Sequence, residues 1–493
     1  MTATQRQDLV QPDFRTLAFI DGGFVPAASG RTFSAVNPAT GKVLAEVAAC
    51  DAADVDLAVA AARRAFEDGR WSGLRPLDRK RILQRFAALI REHREELALT
   101  ETLNMGKPIS DARSIDVRAT AECFAYYGEC ADKVYGEIAP TRPDVMALVL
   151  REPLGVVGCV TPWNFPMIMA AWKVAPALAM GNCVVLKPAE ESPLTALRLA
   201  ELAHEAGVPP GVFNVVPGLG EEAGAALGRH MDVDALAFTG STEVGKYFLK
   251  YSADSNMKRV FLECGGKTAF IVARDVPDLD AVAQAVAGGI FFNQGEMCTA
   301  ASRLLVDNAI RADLVARIAA LAPRWMPGDP LDPASRAGAV VSATHQKRIL
   351  AAIARGAGEG ARLVTGGGPL LPETGGAFVA PTVFDDVAPG STLAQQEIFG
   401  PVLSVIGFDG LDQAVEIANG TIYGLGGAVW SGDLAAAHKI ARRMKAGIIY
   451  VNCFDADDIT TPFGGLKQSG FGRDKSLHAL EKYTDLKTVW TQL

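Results

Sequence analysis

From residue 155 onward, short apolar runs alternate with stretches of helical length, and this rhythm constrains the fold more than any other feature of the chain. GVVGCV (155–160), NCVVLK (182–187), VFNVV (212–216) and ALAFTG (235–240) are apolar without alternation, as strands buried on both faces are. SPLTALRLAELAHEAG (192–207) and EEAGAALGRH (221–230) lie between them and read as helices. Such spacing predicts βαβ units, hence a parallel sheet with right-handed crossovers. Upstream, Asp54–Asp68 and Arg79–Met105 read as helices, the latter with Ile82, Phe86, Leu89, Ile90 and Leu97 on one face. A second alternating block follows Gly266, with strands predicted at 268–273, 302–307, 381–387, 403–408, 428–431 and 447–452. Helices are predicted there at 278–292, 310–321 and 434–444. The fold class is therefore α/β, with two α/β domains. Two segments fit neither block: EIAPTRPDVMALVLREP (137–153) and the tail TDLKTVWTQL (484–493). Both read as extended, and an apolar row on an edge strand invites pairing with another chain.

Several classes of protein are disfavoured. At 493 residues the chain can bury a large core and divide into about three domains. With Lys+Arg 48 and Asp+Glu 56, the net charge is 48 − 56 = −8, which argues against a nucleic-acid partner. Eight cysteines stand without a CxxC pair among six scattered histidines, so neither a zinc site nor a disulfide framework is expected. The opening MTATQRQDLVQPDF lacks a charged stretch followed by an apolar one, so we expect the cytoplasm. Phe165–Leu186 is apolar enough to imitate a membrane span. Pro166 and Pro176 break it, and Lys173 at its middle would cost about 3 kcal/mol in lipid. A buried helix followed by a buried strand is expected instead, and no membrane partner.

Three loops follow predicted strands, two of them containing glycine. GSTEVGK (240–246) has the spacing of a P-loop, but Tyr247 stands where magnesium binding needs Ser or Thr. Its Gly240 and Ser241 still precede a helix whose free N–H groups suit a phosphate; a tight turn is the plainer reading. GLGEEAG (218–224), containing Gly220, is one residue longer than the dinucleotide fingerprint and weak by itself. KPAE (187–190) places Lys187 and Glu190 where ribose hydroxyls could be bound, although a solvated loop would look the same.

Cys298, in FFNQGEMCTAASR (291–303), would pass for a buried small hydrophobe if it stood alone. Glu263 in LECGGK (262–267) and Asn164 in TPWNFP (161–166) change that reading. A thiol, a carboxylate and an amide in three loops after strands suffice for acyl chemistry: nucleophile, base and oxyanion donor. A cysteine hydrolase would use these groups but leave the glycine loops without a purpose.

TPWNFP, KPAE, FTGSTEVG, LECGGK, FFNQGEMC and EIFGPV (397–402) resemble the aldehyde dehydrogenase superfamily in order and spacing, over almost the whole chain. Cys264 departs from the family's usual aliphatic residue. The resemblance implies a Rossmann-type cofactor domain (1–131 and 154–264), an α/β catalytic domain (265–464) and a small β oligomerisation element (132–153 and 481–493) in a homodimer or homotetramer. It implies oxidation of an aldehyde to an acid through a thiohemiacetal and a thioester on Cys298, with Asn164 as oxyanion donor and Glu263 activating water. NAD is the implied cofactor, with NADP possible. Lys187 and Glu190 would hold the adenosine ribose, and Gly220, Gly240 and Ser241 would lie along the phosphates. Glu397 would hold the nicotinamide ribose, with Phe399 and Trp163 beside the ring.

The same resemblance places Phe165, Ile168, Met169 and Trp172 in the substrate funnel, where core packing is the plainer reading. Asp455, Asp457 and Asp458 lie before PFGG. They form either a solvated loop face or an attraction for a cationic tail, with Asp457 the first choice. The segment 452–483 is similar to the gamma-glutamyl-gamma-aminobutyraldehyde and 4-guanidinobutyraldehyde dehydrogenases, so amine-derived aldehydes are the expected substrates. Asn104 departs from that pattern, since many such relatives carry Asp there. A broad-specificity aliphatic or aromatic aldehyde dehydrogenase is the alternative.

Overall fold

The computed structural model describes residues 12–493; part of the polar N-terminal stretch lies outside them. Two large sheets carry the two alternating blocks. The first has eight strands in the order Gly23–Val25, Ala18–Ile20, Phe213–Val215, Cys183–Lys187, Val156–Val160, Ala235–Thr239, Arg259–Glu263 and Gly470–Phe471. The five from Phe213–Val215 to Arg259–Glu263 are parallel. Starting from Val156–Val160, the chain winds outward through two strands, then returns to add two on the other side. The crevice at that reversal, beyond the carboxyl ends of Val156–Val160 and Ala235–Thr239, is where open α/β sheets take ligands.

The second sheet has seven strands in the order Arg362–Thr365, Thr382–Asp385, Val402–Phe408, Arg303–Asp307, Ala269–Val272, Gly426–Trp430 and Ile448–Val451. All neighbours are parallel except Arg362–Thr365. A third sheet pairs the tail strand Thr484–Gln492 with Val145–Pro153 along its whole length, and Glu137–Ala139 covers the far side. The two segments that fit neither block thus find each other.

The membrane-like stretch forms the buried helix Pro166–Ala179 and the strand Cys183–Lys187. Lys173 is tolerated there because Asp474 accepts from its ammonium at 3.1 Å, with Lys482 on the other carboxylate oxygen. Burial opposes ionisation of Asp474, but the two lysines outweigh it and hold the carboxyl below its ordinary value. Among the described residues no helix is long and apolar enough to cross a membrane.

One expected element divides. Arg79–Met105 is two helices, Pro76–Glu92 and Arg94–Met105, meeting at His93 with ψ near 22°. The break is in the His93 backbone, while its ring bonds the Glu96 side chain at 2.8 Å in the first turn of the second helix. EEAGAALGRH likewise shortens to the helix Ala225–Arg229 after a wider turn at Gly220–Gly224.

Removing Asp474 while keeping Lys173 and Lys482 would leave two buried cations unpaired. Asp474→Asn should destabilise the protein by about 3–5 kcal/mol, read as a lower urea midpoint. An unchanged midpoint would mean that the cluster is not closed to water.

Candidate active site

The sheets meet around a cavity of about 860 Å³. The loop after Val156–Val160 delivers Trp163 and Asn164, and the loop after Ala235–Thr239 delivers Gly240 and Ser241. Cys298 lies between these and Glu397 on the cavity wall. Phe165, Ile168, Met169, Trp172, Phe399, Asp455 and Asp457 line it as well.

Backbone geometry brings the thiol there. After the helix Leu279–Phe291, residues Asn293, Gln294 and Gly295 all have positive φ, and this tight reversal presents Cys298. Gly265 and Gly266 complete the approach: a Cβ on Gly266 would overlap the Cys298 carbonyl, and one on Gly265 would overlap Glu397. The Gly266 N–H donates instead to Glu397 Oε1 at 2.8 Å. The Asn164 side-chain amide donates to the Glu296 carbonyl at 2.9 Å. That bond uses one of its two hydrogens and leaves the other for a second acceptor.

Glu263 ends the strand Arg259–Glu263 beside this site but outside the cavity lining. Its two buried carboxylate oxygens have no hydrogen-bond partner. Gly464, at φ 158°, leaves the room that Glu263 occupies. Burial first, then Asp474, holds its carboxyl well above the ordinary range. Cys298 is also pushed up, by burial and then by Glu397, Glu263 and Asp455. Glu397 is raised to about 7 by burial, against the Gly266 hydrogen bond.

At one end of the cavity, Ser241 caps the helix Thr242–Ala253 by accepting from the Val244 N–H at 3.2 Å. Trp163 and Phe399 meet edge to face at 5.2 Å. Lys187 and Glu190 pair with each other at 2.7 Å, and both lie outside the lining, as does Gly220. The Asn104 side chain is buried and spent on the backbone of Glu191 and Leu194, so it faces no substrate space.

The acidic loop divides into three different environments. Asp458 accepts from the Thr460 N–H and hydroxyl at 2.8 and 2.6 Å. Asp457 is paired with Lys475. Asp455 forms no hydrogen bond or ion pair with another described residue, and its accessible surface opens on the cavity. The surrounding protein lifts its carboxyl to about 6, with Lys475 opposing. The pairing shifts first choice for a cation anchor from Asp457 to Asp455.

Sequence reasoning missed His345, Arg348, Phe463 and Lys475, which also line the cavity. His345 donates from Nε2 to the Phe399 carbonyl at 2.7 Å, and burial lowers its pKa to about 4. The readable signal was one face of the helix Ala343–Gly358, with 345, 348, 352 and 355 at helical spacing.

The carboxylates around Cys298 generate a measurable expectation. In the ligand-free protein, iodoacetamide should label Cys298 slowly at pH 8, where Glu397 is ionised. Glu397→Gln should speed labelling several-fold, followed by mass spectrometry, because it removes a negative charge that opposes the thiolate. Equal rates would show that burial alone restrains the thiol.

A sequence profile of the Aldehyde dehydrogenase family matches residues 24–489. The aminoacetaldehyde dehydrogenase of Pseudomonas aeruginosa is 53% identical over 479 residues, 97% of this chain and 96% of that protein. Among solved structures, the gamma-glutamyl-gamma-aminobutyraldehyde dehydrogenase of Burkholderia cenocepacia superposes with a TM-score of 0.97 at 55% identity, covering 100% of this chain and 99% of its own. A mutant of the P. syringae indole-3-acetaldehyde dehydrogenase AldA, in complex with NAD+ and IAA, gives 0.97 at 52%, over 99% and 98%. With the family's sequence profile spanning almost the whole chain and its fold reproduced at a TM-score of 0.97, this protein belongs to the aldehyde dehydrogenase family.

Proposed function

We propose that the enzyme oxidises amine-derived aldehydes to carboxylic acids with NAD, and that Cys298, Glu263 and Asn164 carry the reaction. The convergence of the Cys298 thiol and the Asn164 amide on one cavity, with Glu263 buried beside it, carries this reading. Gly265 leaves room for Glu397, and the loop to Ser241 opens on the cavity ahead of a helix of twelve residues. These features fit a dinucleotide, whose nicotinamide when bound accepts a hydride from substrate carbon. Ser241 and Gly240 face the phosphates, with Gly220 further along the same edge. Glu397 holds the nicotinamide ribose, and Phe399 and Trp163 border the ring. Lys187 and Glu190, which pair with each other here, would hold the adenosine ribose hydroxyls. Glu190 repels a 2′-phosphate, so NAD is preferred; Lys187 leaves NADP usable.

The Cys298 thiolate adds to the aldehyde carbon, and the resulting oxyanion is held by the free Asn164 hydrogen and the Cys298 N–H. One such donor is typically worth about 3 kcal/mol. Loss of hydride from that carbon leaves a thioester. Glu263 takes a proton from water, which attacks the thioester and releases acid and thiolate. Burial raises both Cys298 and Glu263 and so favours their protonated forms in the ligand-free site, and a cation bound near them would favour the working form.

Asp455 is the substrate-side argument: a carboxylate without a protein partner, open to the cavity, near enough to Cys298 to raise its thiol. It favours an ammonium or guanidinium tail, while Phe165, Met169 and Trp172 cover the carbon chain. The likeness to an indole-3-acetaldehyde dehydrogenase favours a second reading, in which that apolar wall takes aromatic aldehydes. The tail strand Thr484–Gln492 leaves Leu486 and Trp490 exposed at a sheet edge, which suits a homodimer or homotetramer. A reducing compartment such as the cytoplasm suits a working thiol.

Cys298→Ala should abolish NADH formation while NAD still binds; turnover in that variant would overturn the assignment. Glu263→Gln should give a burst of NADH followed by little steady turnover, and loss of the burst would assign Glu263 an earlier role. Because both groups are raised, steady turnover should climb with pH through the neutral and alkaline range; a falling profile contradicts it. Deleting residues 484–493 should give smaller particles by light scattering, unless the full chain is already a monomer.

A further inference from the structure

The charge at the substrate end of the cavity is set from beneath the acidic loop as well as by it. Lys475 is buried, with its ammonium on Asp457 and 5.5 Å from the centre of the Trp172 ring. Backbone bonds clamp the residues on both sides of it. Asp474 and Phe463 exchange two N–H to carbonyl bonds at 2.8 Å, and the Ser476 N–H donates to Ile459 at 2.7 Å. Lys475 and Ser476 both have positive φ, at 61° and 52°. A non-glycine pair is held so only where its surroundings determine it.

The charges along this wall can be added. Asp458 accepts from the neutral Thr460, and Arg118 and Glu122, also in the lining, offset each other across 3.3 Å. Asp455, Asp457 and Asp458 against Lys475 leave the acidic loop with a net charge of two negative, because Thr460 is neutral and cancels none of it.

We propose that Lys475 is a specificity-determining residue: a resident cation that occupies Asp457 and leaves Asp455 as the loop carboxylate without a hydrogen-bond or ion-pair partner among the described residues, so that Lys475 sets how strongly the enzyme prefers cationic aldehydes over neutral and anionic ones. The proposal rests on the amine-derived reading above. An incoming ammonium is drawn by Asp455 and opposed by Lys475, and the opposition grows with the charge the substrate carries. An anionic tail meets Asp455 first and finds Lys475 already paired.

The test compares kcat/KM, with saturating NAD and the full-length enzyme, for hexanal, 4-guanidinobutyraldehyde, N-(3-aminopropyl)-4-aminobutanal and succinic semialdehyde. Lys475→Met should raise the ratio of guanidino aldehyde to hexanal about 5- to 10-fold, mainly through KM, and raise the dication more. Lys475→Arg should keep the ratio of the unmutated enzyme. Asp457→Asn should lower the ratio, and Asp457→Asn combined with Lys475→Met should restore it to within about twofold. An unchanged ratio in Lys475→Met would show that Lys475 does not set the preference, and a double variant as low as Asp457→Asn alone would make Asp457 itself the anchor; either overturns the proposal. Should the lysine variants not fold, Asp457→Asn still decides. It uncovers Lys475 and should raise turnover of succinic semialdehyde several-fold, whereas no gain sinks the idea. If the unmutated enzyme shows no preference for the cation, the amine-derived reading fails, while the role of Lys475 is judged separately on the changes between variants.

Discussion

Asp474 between Lys173 and Lys482 is the interaction on which the rest of the site depends. The helix Pro166–Ala179 is buried along its whole length, yet it carries a lysine at its centre. A cation there is tolerable only with a carboxylate in contact, and that carboxylate arrives from the far end of the chain. The bond ties the wall bearing Ile168, Met169 and Trp172 to the C-terminal segment. The same segment places Gly464 beside Glu263 and Lys475 beneath the acidic loop. Glu263 feels Asp474 as a repelling charge and the two lysines as attracting ones, so the structural cluster also tunes the proposed base.

Close backbone approach is the second constraint. The bend at Gly265 and Gly266 lets a strand of the first sheet end beside a loop of the second, with Glu397 filling the space a side chain would take. Any cofactor or substrate group entering the cavity meets charges already fixed by neighbouring backbone, so little rearrangement is needed at the moment of reaction.

Much of this was legible in the residues. GVVGCV, NCVVLK and ALAFTG lie within a residue or so of their strands, because burial on both faces leaves no polar alternation to confuse the reading. Asn164, Gly240 and Cys298 follow strands or a tight bend onto one cavity, as loops at the carboxyl ends of parallel strands do. The break at His93 was hidden because the apolar face continues past it. The helix Ala343–Gly358 was hidden because its buried face is thin, chiefly Ile349, Ile353 and Gly356. The acidic loop was the hardest feature to read: counting carboxylates gave three, and only the fold brings Lys475 against one of them. Gly220, Lys187 and Glu190 lie beyond the lining because local motifs specify a backbone shape but not how far a cavity extends.

The position of Asp474 also bears on how the chain is made. Lys173, the strand Val145–Pro153 and the edge of the first sheet all take partners from the last residues: Asp474, Thr484–Gln492 and Gly470–Phe471. During synthesis the N-terminal portion emerges first and begins to collapse with a lysine it cannot yet neutralise and a strand without its neighbour. The catalytic site therefore closes only after residues 470–492 have been made. Until those residues arrive, the buried helix holds an unpaired lysine and the strand Val145–Pro153 lacks its long neighbour.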